Sequence, residues 1–105
     1  MEKVVQIDEQ SVRVRMSADT LRVYRRTFGR DLIVDMNKMT ETMDMEVIEN
    51  LLYIAAKAAD PELPEIDEWL AQFTPFAIYQ SAAQVLQAWN EENQTLSKPK
   101  KKVTR

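Results

Sequence analysis

The chain has 105 residues, 45% apolar and 30% charged, a balance that suits one globular domain and argues against disorder. It contains no cysteine and no histidine, which removes disulfides, thiolate nucleophiles, Ser-His and Cys-His dyads and nearly every transition-metal site, so no enzyme chemistry is expected. The net charge of −3 conceals a region of +5 over residues 10–30 beside one of −11 over residues 31–92, a polarity that favours oriented contacts over indiscriminate nucleic-acid binding.

The first ten residues, MEKVVQIDEQ, lack the apolar run of a signal peptide, and LLYIAAKAA is too short to span a bilayer and carries Lys57, so a cytosolic protein with no membrane partner is expected. VVQID and VRVRM alternate apolar and polar residues around the turn formers DEQS. This pattern predicts a short β-hairpin with Val4, Val12, Val14 and Met16 inward. Ser17 is placed to N-cap a first helix, Asp19 suits its positive end, and Leu21, Tyr24 and Phe28 recur at helical steps until the helix ends near Phe28.

Gly29, the only glycine, then follows a helix end, where the left-handed conformation costs glycine nothing, and Arg25 and Arg26 lie in the last turn, facing the negative helix end. The prediction is a structural joint between two helices. Asp31 is placed to cap the second, whose apolar positions are Leu32, Ile33, Met36, Met39 and Met43.

A third helix is predicted from about Asp44, with Val47, Ile48, Leu51, Leu52, Ala55 and Ala58 on a broad apolar face, and DPELPE stops it. IDEWLAQF gives a short helix with Ile66, Trp69, Leu70 and Phe73 inward. Thr74-Pro75 opens the last helix, with Phe76, Tyr79, Ala83 and Leu86 beside Ala82, Val85 and Trp89 as its apolar stripe, ending around Asn93. Residues 94–105 carry five basic side chains and no apolar period, so they are expected to form a flexible basic tail on a domain covering 1–93. The fold class expected is mainly α, a small α+β domain with an N-terminal β-hairpin followed by a bundle of about four to five helices.

Three motifs invite a chemical role. YRRTFGRD resembles a phosphate grip, yet one glycine cannot build either glycine-rich nucleotide loop; Arg25, Arg26 and Arg30 remain candidates for contact with phosphate or an acidic partner. DPELPEIDE holds five carboxylates without the calcium-loop spacing, so it is read as a solvated connector, and neither a metal nor a cofactor is expected. Met36, Met39, Met43 and Met45 crowd ten residues, and flexible thioethers serve both to fill core gaps and to line surfaces that accept varied apolar helices.

The ordered series VRVRMSADTLRVYRRTFGRDLIVDM, ENLLYIAAKAADP, EWLAQF and LQAWNEEN before a basic tail resembles the tail assembly chaperones of long-tailed phages and prophages of Gram-positive bacteria. The resemblance covers nearly the whole chain, and Tyr-Arg-x-x-Phe-Gly-Arg-Asp is its most specific piece; the turn DEQS departs from the Gly- or Asn-bearing turn of such proteins. It implies a small, mostly helical, non-enzymatic protein of the host cytoplasm that binds the tape measure protein, keeps it soluble, helps recruit tail tube subunits and leaves before the virion is complete. Self-association is compatible with that role. In it Gly29 sets the angle between two helices, Arg25, Arg26 and Arg30 orient the subunit or meet an acidic partner, and Met36, Met39 and Met43 take the apolar helix. Two other classes fit the sequence: a small nucleic-acid-associated regulator using the Arg-rich N-terminal part, and a structural tail component retained in the virion.

Overall fold

The computed structural model describes residues 2–42 and 44–97. Met43 and residues 98–105 of the expected tail lie outside them. Among the described residues a two-stranded antiparallel hairpin, β1 (Glu2–Ile7) and β2 (Gln10–Arg15), precedes five helices: α1 (Thr20–Phe28), α2 (Leu32–Thr42), α3 (Met45–Ala59), α4 (Ile66–Leu70) and α5 (Pro75–Ser97). The fold is mainly α within a small α+β domain, as the sequence predicts.

The hairpin closes through Asp8 and Glu9 with Ile7 opposite Gln10 and Val5 opposite Val12. Asp8 takes the positive φ of 57° that a tight turn demands, and Asp is among the few non-glycine residues that enter this region readily. Its carboxylate also accepts the Thr74 backbone N–H at 3.3 Å and the Thr74 hydroxyl at 3.4 Å, tying the turn to the start of α5. The inward face differs from expectation on the first strand: Val5 and Ile7 are buried, whereas Val4 is 53% exposed. Two adjacent valines leave the alternation ambiguous by one residue, and packing selects the register that buries the larger Ile7.

The first helix starts later than Ser17. Ser17 Oγ accepts the Asp19 N–H in a local turn, and Asp19 occupies the cap position without a side-chain cap bond. Tyr24 is fully buried and Phe28 partly so, while Leu21, which recurs with them at helical steps, is exposed. Asp31, by contrast, caps α2 as predicted: its Oδ1 accepts the N–H groups of Ile33 and Val34 at 2.9 and 3.2 Å. These bonds, that from Val34 above all, hold its carboxyl below the usual range.

Helix α3 is the centre of the domain. Ten of its fifteen residues are buried, so it packs on β2, α1, α2, α4 and α5 rather than along one stripe. Ala58 is an exception among the predicted apolar positions, lying exposed. Beyond Asp60 the Pro61-Pro64 connector returns along the helix, with the Tyr53 hydroxyl donating to the Pro64 carbonyl at 2.6 Å and Lys57 Nζ to the Leu63 carbonyl at 3.3 Å. Tyr53, Trp69 and Phe73 form a run of ring contacts at 5.7 and 5.1 Å that seats α4.

Helix α5 starts at Pro75, where proline lacks only a hydrogen bond it could not use, and Thr74 Oγ accepts the Ala77 N–H at 3.1 Å. Its phase differs from the predicted stripe. Ala77, Ile78, Ser81, Val85, Ala88 and Trp89 are buried, whereas Phe76, Tyr79 and Ala83 face solvent. The helix also continues to Ser97 rather than ending near Asn93, which takes residues 94–97 out of the expected tail. It lies against β1, where Gln84 Oε1 accepts the Gln6 N–H and Gln84 Nε2 donates to the Gln6 carbonyl. An ion pair between Lys3 and Glu91 extends the same seam.

Candidate partner-binding surface

Gly29 occupies the end of α1 with φ 69° and ψ 23°, and its N–H donates to the Arg25 carbonyl at 2.7 Å. The left-handed turn sends the chain into α2 at an angle, which brings Asp35 back beneath α1. There the buried Tyr24 hydroxyl donates to Asp35 Oδ2 at 2.8 Å, and Arg30 closes a two-pronged pair with both carboxylate oxygens, each at 2.8 Å. Arg30 holds the Asp35 carboxyl below its usual range, and Asp35 in turn raises the guanidinium. Burial and the neighbouring carboxylate push the Tyr24 hydroxyl up to about 12, an effect that the Asn50 side chain of α3 lessens. The YRRTFGRD segment is therefore part of a latch between two helices, completed by Asp35, which no motif singled out.

This geometry decides what the candidate arginines can offer. Arg30 is spent on Asp35, and Arg25 donates to Asp31 at 3.1 Å. Arg26 is exposed and lines a shallow cavity of about 340 Å³ with Leu21, Arg22 and Arg25. On the hairpin, Arg13 and Arg15 both approach Glu2, at 3.8 and 2.8 Å. Four of the six arginines that made the N-terminal region basic thus have carboxylate partners.

The methionines of α2 point inward. Met36 and Met39 are partly buried and pack against the core, as does Met45 at the start of α3, and Met43 lies outside the described residues. The large apolar side chains that α2 exposes are instead Ile33 and Val34, 46% and 48% exposed. Of the two roles left open for Met36 and Met39, the gap-filling one matches their contacts.

An apolar groove lies elsewhere, between α1, α3 and the start of α4. It encloses about 560 Å³ and is walled by Val23 and Thr27 on α1, Ile54 and Ala58 on α3, and Pro61 and Ile66 beyond it. Tyr53 and Ile54 are buried in its floor, and Asp19, Lys57 and Glu65 stand at its margin. Ala58 and Ile66 had a signal in the sequence, as apolar positions on the third and fourth helices; the groove sets α1 against α3 and α4, which periodicity cannot connect. A trough of apolar walls with a charged margin suits the apolar stripe of an amphipathic helix.

Among the described residues no group of three or more acidic, histidine or cysteine side chains comes together as a metal site, and no helix is long and apolar enough to cross a membrane. Comparison with protein-family models, with curated proteins and with solved structures finds no match.

Proposed function

We propose that the chain is a tail assembly chaperone of a phage or prophage, a non-enzymatic protein that binds the tape measure protein, keeps it soluble and assists assembly of the tail tube. Its place would be the cytoplasm of the bacterial host, and it would be absent from the finished particle. The observation that carries this reading is the apolar groove between α1, α3 and α4, which offers Val23, Ile54, Ala58, Pro61 and Ile66 to a helix. The pairing of Arg25 with Asp31 and of Arg30 with Asp35 leaves less free positive charge for a nucleic-acid role. The resemblance of the YRRTFGRD series supplies the class of partner.

The test is co-expression with a helical fragment of a tape measure protein, which the full chain should hold in the soluble fraction. Ala58→Lys places a long charged side chain in the groove from an exposed position and should abolish capture while the melting temperature stays near that of the parent. Capture that is unaffected by this variant would locate the contact elsewhere. Capture should hold or strengthen as salt rises, whereas a steep loss would favour phosphate contacts and the nucleic-acid reading. Mass spectrometry of purified particles separates a chaperone from a structural tail component, since only the latter remains in stoichiometric amount.

A further inference from the structure

From Trp69 to Asn90 the chain runs 22 residues without a charged side chain, although 30% of the whole is charged. Such a stretch would be unremarked if it were core, but most of it is α5, and α5 has two apolar faces. One is committed: Ile78, Ser81, Val85 and Ala88 are buried against the domain. About half a turn away lie Phe76, Tyr79, Ala83, Leu86 and Asn90, at alternating steps of three and four residues. Phe76 and Tyr79 are 65% and 55% exposed, with rings stacked at 6.3 Å; Ala83 and Asn90 are exposed and Leu86 is half-buried at the edge. That spacing is the seam by which one helix packs on another.

The chemistry of the face names its occupant. The polar side chains beside the seam are Gln80 and Gln87, exposed and neutral, and Asn90 closes it. Amides donate and accept at once, so each can be satisfied by the same residues of an identical helix. A two-fold interface brings a patch against itself, where any net charge would be repelled, and this face has none. Aromatic enrichment and loss of charge are also what the centres of protein interfaces show. Ala83, the smallest side chain of the seam, lies midway between Phe76 and Asn90, so two helices can approach most closely there.

We propose that two copies of this chain associate through α5, the helices antiparallel and the two-fold axis passing beside Ala83. The antiparallel arrangement sets Tyr79 of each helix near Leu86 of the other, sets Phe76 near Asn90, and opposes the helix dipoles. A contact confined to one face of one helix lies at the low end for specific interfaces, so the dimer is reversible. None of the groove residues lies on α5, and the dimer stands or falls independently of the chaperone reading.

Sedimentation velocity on the full chain tests it. Mass should rise from monomer to dimer across micromolar to near-millimolar concentrations, and Tyr79→Lys should hold the chain monomeric with unchanged circular dichroism and melting temperature. Because the chain has no cysteine, Ala83→Cys reports on the axis alone: under mild oxidation it should cross-link to its own copy, whereas Asn90→Cys alone should not. A parent chain that stays monomeric throughout, a Tyr79→Lys variant that still dimerises, or an Ala83→Cys variant that does not cross-link would each overturn the proposal. A monomeric parent whose tape measure capture is lost on Tyr79→Lys would assign the face to that partner instead.

Discussion

The hydroxyl of Tyr24 on α1 donates to the carboxylate of Asp35 on α2 at 2.8 Å, in a site where Tyr24 is fully buried and Asp35 is 3% exposed. With Arg30 donating to both of its oxygens, the carboxylate holds two helices at the angle set by Gly29. Asp35→Asn keeps the shape but loses the charge that both partners use, and should destabilise the fold by about 2 kcal/mol. Tyr24→Phe should cost about 1 kcal/mol, since it removes one hydrogen bond and leaves the arginine pair. Urea unfolding of both variants checks the order; a Tyr24→Phe loss as large as that of Asp35→Asn would mean the arginine pair contributes little.

The same carboxylate sets a pH dependence. Asp35 is held low by Arg30, Asp31 by the N–H of Val34, Glu2 by Arg15 and Glu91 by Lys3. For each, the unfolded chain takes up its proton first as acid is added, so the contribution is full above the unfolded value near pH 4 and is lost as pH falls through the lower folded value. Glu49 is raised by burial beside Glu46 and Asp44, and works the other way: its contribution is present below the unfolded value and lost as pH rises through the folded one. Four groups against one predict a urea midpoint that drops steeply below about pH 4. Asp35→Asn should make that acid slope shallower.

At Gly29 a Cβ would meet no atom within 4 Å, so substitution carries a conformational cost and no clash. With φ at 69°, Gly29→Ala should lose about 1 kcal/mol and Gly29→Val more, while Gly29→Asn should lose least because asparagine enters the left-handed region readily. Chemical denaturation of the three variants tests the ranking. Equal losses in all of them would point to a steric origin.

Gln84 closes the outer edge of β1 by bonding both backbone groups of Gln6, at 3.1 and 3.3 Å. Gln84→Ala should cost about 1 kcal/mol and speed hydrogen exchange at the Gln6 amide more than at Val5, whose N–H faces β2. Unchanged exchange at Gln6 would show that water already competes for that edge.

Met39→Lys and Ala58→Lys form a discriminating pair. Met39 packs against the core, so a buried charge there should destabilise the protein by about 2 kcal/mol, whereas Ala58 is exposed and its substitution should leave stability within about 0.5 kcal/mol. Thermal melts of the two variants decide between them. A Met39→Lys chain as stable as its parent would return the methionines to the surface.

Local chemistry is what the chain states outright. Asp31, Asp44 and Thr74 each accept backbone N–H groups at a helix start, Gly29 takes the left-handed turn, and Pro61 and Pro64 mark the break after α3, because caps, turns and proline act within a few residues of themselves. Fold class followed from those boundaries. Facing did not: Val4 and Val5 are chemically identical, and only packing against the helices buried the second. Helix α5 is apolar on two sides, so its pattern predicted Val85 and Trp89 inward but could not tell that Phe76 and Tyr79 face out until β1 and α3 claimed the other face. Asp35 reads as one more acidic residue in an acidic stretch, and becomes the centre of a latch only because Tyr24 and Arg30 are folded onto it. The groove is the furthest from the sequence, since it sets Val23 and Thr27 of α1 against Ile54 and Ala58 of α3 across the whole of α2, and burial energy rather than local preference decides which of them meet.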